Sequence, residues 1–175
     1  MREDTVTTKV YSFVELSESA KENAIQNLSD IDVDYEWWEF AYEDAANVGI
    51  KITGFDLGRG SYCSGDFTLD AEAIANNIIA EHGESCETYK AAKDFLDAVK
   101  VIKEKFESDV NYDPEYMEYN ESDDYEDAVE EFRQFIFEDY RIMLQYEYEY
   151  MTSEEAIIET IEANEYEFTE DGKLY

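Results

Sequence analysis

Acidic side chains outnumber basic ones 46 to 13 in this chain of 175 residues, a formal net charge of −33, yet 44% of the residues are hydrophobic and 15% aromatic. That pairing constrains the fold more than any motif does. An acidic chain poor in apolar residues stays disordered, because it cannot bury enough surface to offset the entropy of ordering. This chain has the residues for a core, so it must fold with its carboxylates arrayed on the outside. Two like charges about 4 Å apart in water repel by roughly 1 kcal/mol, and salt screens them only beyond about 8 Å. A surface that sustains such repulsion suits a basic partner. Bare nucleic acid and anionic membrane leaflets would repel it.

The excess is uneven. Residues 1–69 hold 14 acids and 5 bases, residues 70–106 hold 8 and 5, and residues 107–175 hold 24 and 3. Two thirds of the net charge therefore lies on the last two fifths of the chain, which an even solvation strategy does not predict. No apolar run approaches the ~20 residues that span a bilayer. The opening MREDTVTTKVYSF has no apolar stretch of the kind that directs secretion. Cys63 and Cys86 are too few for a disulfide framework and read as buried thiols. Together these features predict a reducing cytoplasm.

Periodicity predicts an α+β protein, mostly helical, with a small antiparallel β-sheet and a long acidic C-terminal helix. Residues 8–14, TKVYSFV, read as a strand. Ser17 caps a helix carrying Ala20, Ala24, Ile25 and Leu28, and a second helix is expected from Tyr35 to Asn47, closed by Gly49. Trp37 and Trp38 begin that second stripe; adjacent residues point about 100° apart, which leaves one indole for the rim. IKITGFDL and SYCSGDFTLD form a hairpin around Gly58-Arg59-Gly60. Helices follow over 71–82 and 85–106, the latter carrying five lysines. Ser122 caps the long helix, expected from Asp123 to Tyr150 with Phe132, Phe135, Ile136, Tyr140 and Leu144 on its buried face. Ser153 caps the last helix, and YEFTEDGKLY reads as a terminal hairpin around Asp171-Gly172. The organisation expected is an α+β core over 1–106, an acidic linker over 107–122 containing Pro114, and an acidic helical lobe over 123–175 packed on the core.

No catalytic signature is present: there is no Walker loop, no G-x-S-x-G and no H-E-x-x-H. The single histidine, His82, excludes the common zinc patterns and falls at a helix C-terminus, where a polar residue is unremarkable. Asp30-x-Asp32-x-Asp34 opens like a calcium loop, but Tyr35 and Ala41 stand where glycine and the bidentate glutamate belong. It reads instead as a polar helix-start loop. Gly58-x-Gly60 lacks the helix that a phosphate loop requires. The sequence therefore calls for no enzyme, cofactor or metal.

The acidic helix is the candidate site. Between Glu121 and Glu149 it carries 11 acids and two arginines over about 42 Å. Its linear charge density approaches one DNA strand, at one phosphate per ~3.4 Å, and falls short of a duplex at one per ~1.7 Å. The partner-binding residues are Asp123, Asp124, Glu126, Asp127, Glu130, Glu131, Glu138 and Asp139, with a second row from Glu154, Glu155, Glu159 and Glu162. A homodimer is the other source of a second row, with Phe137, Tyr146, Tyr148 and Tyr150 as contact aromatics.

The blocks KVYSFVELSESAKENAI, YEWWEFAYEDAANVGIKITGFDLGRGSYCSGDFTL and YEYMTSEEAIIETIEANEYEFTEDGKLY resemble a set of small phage and prophage proteins, some loosely labelled antitoxin-like. The resemblance covers most of the chain and implies a phage accessory protein acting in a bacterial host cytoplasm. Charge and resemblance together lead to the expected function. It is inhibition of a host DNA- or RNA-handling defence machine (restriction, CRISPR or nuclease) by carboxylate mimicry of phosphates. The partner would be a basic nucleic-acid-binding host protein, with no direct nucleic-acid or membrane binding. The alternative is an antitoxin-like protein neutralising a basic toxin.

Overall fold

The computed structural model describes residues 9–33, 35–109, 113 and 117–175. The chain is 61% helical, and its described residues form six α-helices and two antiparallel two-stranded sheets, an α+β fold. It divides into two compact units, Trp38–Gln145 on one side and Met1–Trp37 with Tyr146–Tyr175 on the other. The sequence reading had placed boundaries after residues 106 and 122. Thr8, Asp34 and Pro114, on which parts of that reading fall, lie outside the described residues.

The larger unit begins with α2 (Glu39–Val48), which Gly49 ends at φ 93° so that the chain passes directly into β2 (Ile50–Asp56). β2 pairs antiparallel with β3 (Tyr62–Phe67), from Ile50 opposite Phe67 to Asp56 opposite Tyr62. The connection is the expected turn: the Gly58 amide donates to Asp56 Oδ1 at 2.7 Å, and Gly60 takes φ 89°. Asp70 caps α3 (Ala71–Glu81) by accepting from the Ala73 amide. After α4 (Glu87–Glu107), the Ser122 hydroxyl accepts from the Tyr125 amide at the start of α5 (Asp123–Met151). Ala41, Ala45, Val48, Ile50, Ile52, Ile74 and Ile78 are buried, as are Phe95, Phe132, Ile136 and Tyr140. Phe95 stacks on Phe132 at 4.6 Å between centroids, and Phe67 lies 5.8 Å from Phe132 and 6.3 Å from Phe137.

Two expectations need correction in this unit. The second helix starts at Glu39, not Tyr35, because Trp38 occupies the N-cap and offers no capping side chain. Trp38 instead meets Phe55 edge-on at 5.9 Å. On α5 Phe137 joins the buried Phe132 and Tyr140, at 7% exposed, whereas Phe135 is 59% exposed. The cause lies on β3: a Cβ on Gly65 would stand 2.8 Å from the Phe137 ring and 2.2 Å from the Lys51 carbonyl oxygen. The bare glycine thus makes the room that Phe137 fills, and Phe137 is not free for a dimer contact.

The smaller unit contains β1 (Tyr11–Ser12), α1 (Glu18–Asn27), α6 (Glu154–Ala163) and β4 (Glu167–Phe168). Ser17 and Ser153 cap the two helices by accepting from the Ala20 and Ala156 amides. Phe13, Leu16, Ala20, Ala24, Ile157, Ile161 and Phe168 make its core. The first strand is much shorter than residues 8–14. The Ser12 amide and hydroxyl both donate to Glu15 Oε2, which winds Phe13–Glu15 into a 3₁₀ turn. The terminal hairpin forms over one bridge, Phe168 opposite Leu174, with the Thr169 amide donating to the Lys173 carbonyl at 2.8 Å and the Tyr175 amide to the Glu167 carbonyl at 2.9 Å. On its other edge β4 pairs with β1, Tyr11 opposite Phe168. Trp37 is buried and tilts against Tyr148 at 5.7 Å. Asp32 accepts from the Thr160 hydroxyl through both carboxylate oxygens, at 2.8 and 3.0 Å. A residue read as part of a helix-start loop therefore ties that loop to α6.

Candidate functional site

In the larger unit, α5 aligns Asp123, Asp127, Glu130, Glu131 and Glu138 along one face, because residues three, four and seven apart share a side of a helix. All five are exposed, opposite the buried Phe132, Ile136 and Tyr140. From Asp123 to Glu138 the row runs about 22 Å at ~1.5 Å per residue. It ends there, because residues 140–146 contain no acid, so the ridge is about half the length expected from Glu121 to Glu149. Exposed Glu126, three residues from Asp123 and four from Glu130, borders the row, whereas Asp139 turns about 100° away from Glu138. Lys105 Nζ reaches Asp124 Oδ2 at 2.6 Å, and Arg141 forks onto Glu138 at 2.7 and 2.8 Å. Arg133 does not neutralise the row: it donates to the Gly65 carbonyl at 3.3 Å and lies 4.9 Å over the Phe67 ring.

In the smaller unit, α6 presents Glu155, Glu159 and Glu162 on one side, with Glu154 beside them, opposite the buried Ala156, Ile157 and Ile161. All four glutamates are exposed. The predicted partner-binding acids thus form a ridge on α5 in the larger unit and a patch on α6 in the smaller, and Asp139 lies outside the ridge.

Asp139 lines a groove of about 620 Å³ between α4 and α5. Periodicity does not reveal this feature, since its walls are two helices whose apolar stripes both read as core. The groove's apolar lining comes from Ala91, Ala98, Ala128, Phe135 and Ile142 over the Phe95–Phe132 stack. Burial raises the Asp139 carboxyl above the usual aspartate range; Glu87 and Glu138 add to this, and His82 opposes it. A polar cluster is also present in this unit. Tyr140 donates its hydroxyl to Asp44 Oδ2 at 2.8 Å, and burial with that carboxylate pushes its phenol well up. His82 Nδ1 lies 2.7 Å from the Thr88 hydroxyl. Its Nε2 is 3.5 Å from Asp44 Oδ1, close enough for charge attraction but buried without a hydrogen-bond partner. His82 is the C-cap residue of α3, and its ring meets Thr88, six residues on, and the remote Asp44, which in turn holds Tyr140.

Cys63 and Cys86 are free thiols. Cys63 is half-buried, which raises its thiol to about 11, whereas Cys86 is exposed rather than buried because it occupies the N-cap of α4. Among the described residues no three His, Cys, Asp or Glu side chains stand close enough to hold a metal, and no helix is long and apolar enough to cross a membrane. No family model matches the chain, and neither does any curated protein or solved structure.

The Asp139 environment carries a prediction with a definite sign. A carboxyl whose folded-state pKa is raised favours the fold while protonated, and that contribution is lost as pH rises through the folded value. Asp139→Asn should therefore raise the melting temperature at pH 7, with the gain vanishing towards pH 3, below the ordinary aspartate pKa of ~3.9. Thermal unfolding of both proteins across that range checks it. A gain that persisted at pH 3, or a loss at pH 7, would show that Asp139 acts through a specific bond instead.

Proposed function

We propose that this protein is a phage-encoded inhibitor, acting in the bacterial cytoplasm, that occupies the nucleic-acid channel of a host restriction, CRISPR or nuclease machine by carboxylate mimicry of phosphates. The observation that carries the reading is the exposed row Asp123, Asp127, Glu130, Glu131 and Glu138 on one face of α5. Five carboxylates over about 22 Å supply about two thirds of the charge of one nucleic-acid strand, which carries a phosphate every ~3.4 Å. The row sits on a capped helix whose opposite face is locked into the core, so the charges are held in place before binding. Preorganisation of this kind lowers the cost of association. Basic channels that attract phosphates would attract the same array, and complementary charge speeds encounter. A second copy, joined through the exposed Tyr146 and Tyr150, is one source of a second row for a duplex-like surface.

The test is inhibition of DNA cleavage by a panel of purified restriction endonucleases, CRISPR effectors and recombination nucleases, measured across salt concentrations. At least one should be inhibited stoichiometrically in competition with DNA, and the inhibition constant should weaken steeply between ~50 and ~200 mM salt. The protein itself should not shift duplex DNA in a gel. Inhibition indifferent to salt, or direct saturable DNA binding, would rule out mimicry. Failure across the panel would leave the antitoxin reading, in which the basic partner is a toxin.

A further inference from the structure

Sequence patterning assigns α4 and α5 one buried stripe each, yet the two helices do not close on one another along their full length. The stacked rings of Phe95 and Phe132 form the floor, and above them lies the 620 Å³ groove. Phe135 stands at its edge, 59% exposed, with no compensating polar group of its own. The rim is charged on both sides. Glu87 and Asp94 lie on the α4 wall, Glu131 and Glu138 on the α5 wall, and Asp139 is sunk into the groove. Lys90 is the one cation among the lining residues and is paired with Glu87, and Arg141, outside the lining, is paired with Glu138, which leaves Asp94, Glu131 and Asp139 to receive a guest cation directly.

We propose that this groove docks a basic amphipathic helix of a partner protein, its apolar side chains on the Phe95–Phe132 floor and its lysines or arginines on the two acidic rims. The spacing fits that occupant. On each wall the paired acids are seven residues apart, Glu87 with Asp94 and Glu131 with Glu138, or about 10.5 Å along the helix. A helix repeats its own face every two turns, so cations seven residues apart on the guest meet carboxylates at both ends of the groove. The volume suits two or three aliphatic anchors rather than a whole helix, which is how helix-in-groove recognition works. A second copy of this chain is a poor occupant of this groove, since none of its described helices carries a net positive charge to set against the acidic rims. A cation lodged beside Asp139 would also relieve a carboxylate held between Glu87 and Glu138. The inference shares with the inhibitor reading only the premise that the partner is basic; it requires no phosphate mimicry.

The experiment uses the full chain and a fluorescein-labelled helical peptide of roughly 18 residues, leucines on one face and lysines on the other, long enough to cover the groove. The comparison peptide has the same charge with serines in place of the leucines. By fluorescence anisotropy the leucine peptide should bind at least about tenfold more tightly than the serine peptide. Ala98→Trp, which fills the groove from an exposed position without changing any charge, should remove that difference. Phe135→Ser, also at an exposed site, should reduce it, and serves if the tryptophan variant fails to fold by circular dichroism. Equal binding of the two peptides, or a preference untouched by either variant, would overturn the proposal. Asp127→Lys with Glu130→Lys, on the ridge and outside the groove lining, should weaken both peptides alike and leave their ratio unchanged. The ratio therefore reports on the groove even if no nuclease is inhibited.

Discussion

Gly172→Ala is expected to destabilise the smaller unit by about 3 kcal/mol or more, at the upper end of what single substitutions do. Two effects combine at this position. Gly172 takes φ 81°, which an L side chain adopts at a cost of roughly 1–2 kcal/mol. A Cβ there would also stand 2.1 Å from the Ala20 carbonyl oxygen and 2.9 Å from its carbonyl carbon, both backbone atoms of α1 that cannot swing aside. Ala20 belongs to the core with Leu16, Ile161 and Phe168, so relief of the clash must open that core. Gly60→Ala is the matched control. Its φ is 89°, and nothing lies within 4 Å of the position a Cβ would take. It should lose only the conformational part, about 1 kcal/mol. Hydrogen exchange of the amides in residues 18–27 and 154–163 separates the two. If Gly172→Ala behaves like Gly60→Ala, the turn at 169–173 does not rest on α1 as tightly as this geometry requires.

What made Gly172 legible in the sequence, and what did not, illustrates how far local patterning reaches. The Asp171-Gly172 pair announced a tight turn, and the turn is there: the Gly172 amide donates to the Thr169 carbonyl at 2.9 Å. The strand preceding it pairs across that turn with Leu174 and also takes a second partner from the other end of the chain, because Phe168 completes the core around Phe13. Turn chemistry is local, whereas strand pairing is decided by which apolar face is available for burial. The same distinction runs through the helices. Ser17, Ser122 and Ser153 mark helix starts correctly because a cap is a contact over three residues. The start of α2 was misplaced where no such side chain exists.

The acidic ridge was readable for a comparable reason. Its spacing is a property of one helix, and the opposite Phe132–Ile136–Tyr140 stripe fixed which side would face outward. Its extent was overestimated because net charge was averaged over residues that include the acid-free run 140–146. The groove and the His82 cluster were not readable. His82, Asp44, Thr88 and Tyr140 are brought together by the end of α3, by α2, by the first turn of α4 and by α5, and no pairwise spacing in the sequence encodes that meeting. Phe135 and Phe137 exchanged roles through Gly65, a glycine some 70 residues earlier whose missing Cβ admits one ring and not the other.

Reversing the ridge charge should produce the largest loss of function. Asp127→Lys with Glu130→Lys removes two carboxylates from the centre of the row and puts two cations in their place. Against a nuclease that the wild-type protein inhibits, affinity should fall at least about 30-fold, roughly 2 kcal/mol. The fold should survive, because both side chains are exposed and neither belongs to the groove or the core. Glu130 does accept from Gln134 Nε2 at 3.0 Å, but an exposed bond of that kind contributes little. Melting temperature should hold or rise, since reversal relieves repulsion among Asp123, Asp127, Glu130 and Glu131. The control is the same change of charge on α6, Glu159→Lys with Glu162→Lys, where the carboxylates are equally exposed but form their own patch. Both variants alter the net charge of −33 by the same amount, so a diffuse field predicts equal losses, whereas a ridge that fits a channel predicts that the α5 variant loses far more. Inhibition constants measured at two salt concentrations complete the comparison. The α5 variant should also show a shallower salt dependence, because fewer of its charges reach the partner. Equal losses with equal salt slopes would mean that the acidity of the whole chain, and not the row on α5, draws the partner in.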